Sequence, residues 1–306
     1  MLKNLIKRKL TAYIQAAVAP DVVRATAAQV ASAMRRERLT EAALNSRESG
    51  IAAPRERRST PVVVSLTTYG CRLHEVHLSV ESIMQGTVRP DAIVLWRDEG
   101  DTRPLPVALG RQVARGLQVM PTRDVRSFKK LIPALRVFDG AHIVTIDDDV
   151  FYPHDMLETM LATHDAHPGA IIANTVLAME RDASGVPTGY RRWPYVADMP
   201  PGGSAADLFA EGFGGVLYPA GSLPPETLDE EAFTALCPTA DDVWFNAMAR
   251  LAHTPLRICQ RAPYDFLAAV NQAVQTQALF HTNNGADGAN DRQLRAVWQR
   301  YNLQGR

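Results

Sequence analysis

The chain has 306 residues, 46% of them hydrophobic and 22% charged, with Lys plus Arg equal to Asp plus Glu. This is an ordinary globular composition, long for one domain and too short for two large ones. A net charge of zero argues against a nucleic-acid partner, and three cysteines without a Cys-x-x-Cys pair exclude the usual zinc and dithiol motifs and fit a reducing, cytoplasmic compartment.

The first 60 residues stand apart. Twelve Lys/Arg against five Asp/Glu give them a formal charge of +7, which leaves −7 for the remainder. Residues 1–10 pattern as a basic amphipathic helix, with Leu2, Leu5, Ile6 and Leu10 toward one face. Lysines interrupt every apolar run here, so the pattern is not that of a secretory leader. No window reaches the roughly 18 apolar residues of a membrane span. Residues 1–45 therefore read in two ways: a surface for an anionic membrane or a partner protein, peripheral at the inner membrane, or a helical extension with a wet basic face. Residues 46–58, with Ser, Gly, Pro and several charges, read as a linker. The expected division is 1–58, a basic helical extension and linker, and 59–306, the compact domain.

Residues 61–68 predict a strand by β-branching and length, and residues 69–72 break it. Val76, Val80, Ile83 and Met84 then recur at helical spacing up to Gly86. Pro90 precedes a second strand at 92–96, and a weak third lies at 117–119. Residues 127–138 predict a helix in which Pro133 must occupy the first turn or break it. The β-branched run 143–146 is a short buried strand, followed by a helix at 155–164 and a strand at 170–173. This alternation gives βαβ units and an α/β fold with a mainly parallel sheet flanked by helices. Neither Gly-x-Gly-x-x-Gly nor a P-loop motif occurs.

The strand at 143–146 runs straight into Asp147, Asp148 and Asp149. Burying isolated carboxylates costs several kcal/mol each, roughly, so three together ask for a divalent metal, a basic partner or open water. In open α/β sheets ligands gather at the carboxyl ends of strands. On an extended chain Asp147 and Asp149 share one side and Asp148 takes the other, an Asp-x-Asp pair within reach of one hard cation. A solvated turn is the plainer reading.

From residue 180 to 210 the periodicity dissolves into Gly, Pro, Arg and aromatic residues. Trp193, beside two arginines, either stacks a sugar ring or folds back onto the core. Gly212, Gly214 and Gly215 around Phe213 allow close backbone approach to a ligand or form a bulge leading into a strand. Thr239 can cap a helix whose first turn holds Asp241 and Asp242, where the helix dipole favours acids; two acids followed by Trp244 also suit a catalytic carboxylate at a pocket rim. His281 ends an apolar run before a loop and is either structural or a metal ligand. Residues 290–303 predict a last helix.

In sum the chain from residue 62 to 301 resembles bacterial GT-A-fold glycosyltransferases of the kind found in capsule and surface-polysaccharide loci. The pieces are Ser65-Leu-Thr-Thr-Tyr69 with Arg72, Gln85 before Pro90-Asp91, Lys129-Lys130-Leu131, and Ile146-Asp-Asp-Asp149 with Tyr152-Pro153. Gly212-x-Gly-Gly-Val-Leu-Tyr-Pro219, Ala240-Asp-Asp-Val-Trp244 and Asn290-Asp291 follow. The resemblance implies a nucleotide-sugar donor, a UDP-sugar by preference, a glycan or glycolipid acceptor, and Mn²⁺ or Mg²⁺. It places the metal on Asp149, with Asp147 and His281. It assigns Thr67, Tyr69, Arg72, Asp124, Lys129, Lys130, Asp147 and Asp148 to the donor, and Trp193, Gly214, Gly215 and Trp244 to the sugar and acceptor pocket. Asp242 or Asp241 is then the general base of an inverting transfer; a retaining enzyme in which that acid only orients substrate stays open. The Gly70-Cys71 turn before Arg72 departs from the family pattern. A metal-dependent phosphohydrolase or nucleotidyltransferase, and a non-catalytic sugar-binding scaffold, are the rival readings.

Overall fold

A computed structural model describes residues 19–196, 207–259, 270–271, 274 and 288–304. Seven strands form the main sheet: β1 (Val62–Thr67), β2 (Ala92–Asp98), β3 (Leu117–Thr122), β4 (His142–Thr145), β5 (Ile171–Ala173), β8 (Val216–Tyr218) and β9 (Leu256–Ile258). A separate antiparallel ribbon pairs β6 (Val176–Ala178) with β7 (Leu208–Ala210). The sheet order is β3-β2-β1-β4-β8-β5-β9. All neighbouring pairs are parallel except those that β8 makes with β4 and β5.

The apolar strands are buried on both faces, as parallel strands require. Side chains alternate, so Val62, Val64 and Leu66 enter one core while Val63 enters the other. The first core is covered by α2 (Val76–Met84), α3 (Val107–Val113) and α5 (Met156–Ala166). The second is covered by α4 (Ile132–Val137), α6 (Glu230–Leu236), α7 (Asp241–Leu251) and α8 (Ala289–Arg300).

The long helix expected at 127–138 is divided. A 3₁₀ turn at Arg126–Lys130 precedes α4, and Pro133 sits in the first turn of α4. Arg126 takes φ 56°, a left-handed conformation that an α-helix does not accommodate.

The segment before the sheet is not a free extension. Helix α1 (Ala19–Asn45) lies against α2 and α3. Leu39 packs on Leu78 and Phe151, Arg35 donates to the Tyr152 carbonyl, and Arg36 makes a bidentate ion pair with Glu75. The stretch read as a linker is bonded down as well: Gly50 N–H donates to the Arg115 carbonyl and Ala52 N–H to the Pro90 carbonyl, each at 2.8 Å. Residues 1–18, where the basic amphipathic pattern falls, lie outside the described residues. No helix among the described residues is long and apolar enough to cross a membrane.

Candidate active site

Strands β1 and β4 are parallel neighbours, but the chain leaves them in opposite directions along the sheet, β1 toward β2 and β4 toward β8. A crevice opens at such a switch point, at the carboxyl ends of the strands. Thr68 and Arg72 follow β1, and the three acids follow β4. The expected alternation fails there, because the chain turns at Asp148 and Asp149 instead of continuing extended. Asp148 is buried and accepts from Thr68 Oγ1 at 2.6 Å and Arg72 Nη1 at 2.7 Å. Asp149 lies 3.1 Å from Arg72 Nη2, so it shares that guanidinium with Asp148. Asp147 turns to the other side and meets Lys130 Nζ at 2.9 Å.

Lys130 is the centre of the second cluster. Its backbone is fixed from the sheet: Ser65 Oγ donates to the Lys130 carbonyl at 2.6 Å and accepts from Trp96 Nε1 at 2.9 Å. Its ammonium faces Asp147, Asp241 at 3.0 Å and Asp242 at 3.9 Å. Asp241 and Asp242 open α7, as expected. The cap differs: Ala240 is the N-cap residue, and the Thr239 hydroxyl exchanges hydrogen bonds with Gln293. Asp242 accepts from Gly212 N–H at 3.0 Å. A Cβ at Gly212 would lie 2.5 Å from Asp242 Oδ1 and 2.7 Å from Lys130 Nζ, so this glycine is required by close approach. Gly215 takes φ 92° where the turn at Gly212–Gly214 feeds β8. The Tyr152 hydroxyl ties the two acidic loops together, donating to the Phe213 carbonyl at 2.7 Å and accepting from Asp147 N–H at 2.8 Å.

The electrostatics follow from this crowding. Five carboxylates meet two basic groups, Arg72 and Lys130. Burial pushes Asp148 up to about 6, with the Asp149 charge adding to the rise and Arg72 and Thr68 restraining it. Burial pushes Asp242 up to about 8, helped by Asp241 and Asp147 against Lys130. For Lys130 burial disfavours the charge, but its three acidic neighbours prevail and hold the ammonium well above the ordinary range. Asp242 keeps 29% of its side chain exposed, against 10% for Asp241. Of the two, Asp242 is the acid a ligand can reach.

Several expected site residues are committed elsewhere. Trp193 is 5% exposed, packs on Tyr190 and Phe209, and donates to the Thr188 carbonyl. Trp244 is fully buried between Phe233 and Tyr301 and donates to the Thr227 carbonyl. Neither forms a pocket wall, because the hydrophobic gain from burying an indole outweighs its use as a platform once its N–H finds a carbonyl. The Thr67 hydroxyl is taken by the Trp96 carbonyl. Arg72 is 7% exposed and engaged by Asp148 and Asp149, so it serves the acids. Tyr69 is 44% exposed, with the Arg72 guanidinium 5.5 Å from its ring centroid. Lys129 and Asp124 pair with each other at 2.6 Å beside a groove lined by Phe128 and Phe233, and no described contact joins them to the acidic cluster. Gly214 backs onto Thr175, where a Cβ would lie 2.2 Å from the hydroxyl oxygen. His281 lies outside the described residues.

Sequence reasoning missed Glu211. Burial raises its carboxyl to about 7, against hydrogen bonds from Tyr195 and Tyr190. Only its place before the Gly212 turn hinted at it.

Among the described residues no group of three His, Cys, Asp or Glu side chains is placed to hold a metal ion. Such a cage is not required for a hard cation, which takes one or two carboxylates and completes its shell with phosphate oxygens and water. Asp147 faces Lys130 and Asp149 faces Arg72, so the expected Asp-x-Asp pair is divided between the two basic groups, and the cluster as a whole holds more carboxylates than basic groups.

No protein-family model and no curated protein matches the chain. Residues 1–349 of TarS from S. aureus align over 80% of this chain and 72% of theirs, at 14% identity and a TM-score of 0.47. The mannosyltransferase PcManGT from Pyrobaculum calidifontis, in complex with GDP-Man and Mn²⁺, aligns over 78% of this chain and 66% of its own, at 19% identity and a TM-score of 0.40. A CMP:2-keto-3-deoxy-manno-octonic acid synthetase complexed with CTP aligns over 66% of this chain and 89% of its own, at 11% identity and a TM-score of 0.38. Likenesses at this level assign the chain neither a reaction nor a substrate.

Proposed function

We propose that the protein is a glycosyltransferase that moves a sugar from a nucleoside-diphosphate donor to a hydroxyl of a glycan or glycolipid acceptor. One observation carries the reading: Asp147 from the strand end at the switch point and Asp241 and Asp242 from the first turn of α7 converge on Lys130. The donor lies in the crevice between the loops after β1 and β4, with the exposed ring of Tyr69 beside its base. Asp149, with Asp147 directly or through water, would hold Mn²⁺ or Mg²⁺ on leaving the basic groups they now face, and the ion would supply positive charge to the departing diphosphate. Lys130 adds a fixed positive charge at the same place, and Asp241 holds Lys130 in position.

Asp242 acts as the general base. Gly212 N–H occupies its Oδ2, and in its ionised form, which Lys130 at 3.9 Å favours, its raised proton affinity makes it a stronger base than a free carboxylate. It takes the acceptor hydroxyl proton while that oxygen bonds to the anomeric carbon and the bond to the diphosphate breaks, an inverting displacement.

The test incubates the pure protein with a panel of nucleotide sugars, with and without Mn²⁺, and measures free nucleoside diphosphate. Metal-dependent release from one donor, lost in Asp149→Ala, is the expected result. Release of inorganic phosphate from simple phosphoesters in its place would convert the reading to a phosphohydrolase. Donor binding without turnover would leave a scaffold.

A further inference from the structure

Tyr152 is fully buried, and its backbone is gripped from two helices. Its N–H donates to Ser82 Oγ at 3.0 Å, and Ser82 donates in turn to the Ser79 carbonyl, both on α2. Its carbonyl accepts from Arg35 on α1, and the neighbouring Phe151 packs with Leu39 of the same helix. A second tie from α1 runs from Arg36 to Glu75, from Glu75 to Asn271 Nδ2, and from Asn271 N–H to the Asp149 carbonyl at 2.7 Å. The loop after the acids is thus held from the helices behind it.

The phenol points the other way, to the acids. Its oxygen accepts from the N–H of Asp147 and donates to the carbonyl of Phe213. Phe213 sits between Gly212, whose N–H holds Asp242 Oδ2 at 3.0 Å, and Gly214, whose carbonyl accepts from Asn174 Nδ2 at 2.9 Å. A buried phenol needs a partner, and one carbonyl would meet that need. Here one oxygen joins the strand end that carries Asp147 to the glycine turn that holds Asp242.

We propose that Tyr152 is a positioning residue that sets the spacing between the donor-side acids and Asp242, and that α1 holds it there through Arg35. Under the glycosyltransferase reading, on which this role rests, the diphosphate leaves at one loop and the acceptor hydroxyl is activated at the other. A misplacement of about 1 Å between reacting groups can cost about a hundredfold in rate. Helix α1, which reads in the sequence as an extension, is by this argument part of the catalytic unit.

Tyr152→Phe removes one oxygen and keeps the ring. Nucleoside diphosphate release from the donor that the wild type accepts, with Mn²⁺ and per folded molecule by circular dichroism, should show kcat lower by about tenfold or more and a donor KM within about twofold. Arg35→Met should lower kcat about threefold, and Arg35→Lys, which keeps a donor for the carbonyl, should restore about half of that or more. Arg38→Met, exposed on the same helix, is the control and should change neither constant. Amide hydrogen exchange reads the linkage without turnover: in Tyr152→Phe it should quicken about fivefold or more in residues 146–153 and in residues 211–216, with β1 and β2 unchanged. A wild-type kcat in Tyr152→Phe, or exchange that quickens in 146–153 alone, overturns the proposal. Arg35→Met indistinguishable from Arg38→Met overturns the part given to α1. No release from any donor by the wild type sinks the transferase reading instead, and the exchange pattern then decides by itself whether the tyrosine joins the two loops.

Discussion

Replacing Lys130 by Met tests whether the acidic cluster is held by that one ammonium. Lys130 is 6% exposed and lies within 4 Å of three carboxylates, at 2.9, 3.0 and 3.9 Å. Methionine keeps the length and apolar stem and removes the charge. Breaking a buried ion pair by deleting one partner costs about 3–5 kcal/mol, because the other is left uncompensated. Asp147 and Asp242 each keep 29% of the side chain in water, which softens the penalty, so the expected loss is at the lower end, about 3 kcal/mol. Adding Asp241→Asn removes the most buried of the orphaned carboxylates and returns about half of that loss. Urea denaturation of wild type, both single variants and the double variant closes the thermodynamic cycle. The deficit of the Lys130 variant should shrink as the pH falls below about 8, since Asp242, whose burial raises it to about 8, then takes up a proton. A loss below about 1 kcal/mol, or strictly additive losses in the double variant, would refute the coupling.

Glu211→Gln isolates a pH effect. The Glu211 carboxyl is raised from 4.5 to about 7 in the folded state, so the unfolded chain loses that proton first and stability falls as the pH rises from about 4.5 to 7. The Gln variant should match wild type near pH 5 and exceed it by up to about 3 kcal/mol at pH 8; parallel stability curves would contradict this. Gly212→Ala forces a Cβ to within 2.5 Å of Asp242 Oδ1 and should cut nucleoside-diphosphate release at least about tenfold, for about 1–3 kcal/mol of stability; wild-type turnover would separate Asp242 from the chemistry. Trp193→Ala should cost about 3–5 kcal/mol by denaturation and leave turnover per folded molecule unchanged; the reverse pattern would restore Trp193 to the ligand site.

What the sequence made legible of the fold is what hydrophobic periodicity reports. The runs at β1, β2 and β4 are buried on both faces, so apolar residues follow one another with little polar interruption, Ser65 in β1 being the exception. Strands β6, β7 and β8 have three residues each, too few for any period. The antiparallel sense of β8 is a property of its two neighbours, not of Val216–Tyr218. Helix α1 misled for a different reason. Apart from Leu39, its buried face is built from Ala28, Ser32 and Ala43, and small residues that allow close helix approach look in a sequence like surface.

The site was legible in its pieces and hidden in its connection. Acids after a strand have a sufficient local explanation in a turn, and acids at the start of a helix have one in the helix dipole. Each explanation survives in the structure: Asp148 and Asp149 do lie in a turn, and Asp241 and Asp242 do open α7. Neither accounts for a buried lysine facing both sets. Lys130 meets acids 17 and 111 residues further along the chain, and nothing local selects those partners. One ammonium cannot neutralise three carboxylates, and Asp242, raised first by burial, is raised further by Asp241 and Asp147 against the pull of Lys130. That uncompensated charge is a cost to folding that a turn and a helix cap would never incur. Among the described residues only Lys130 faces these three acids, and a cation, a proton or a ligand that brings one would relieve the charge.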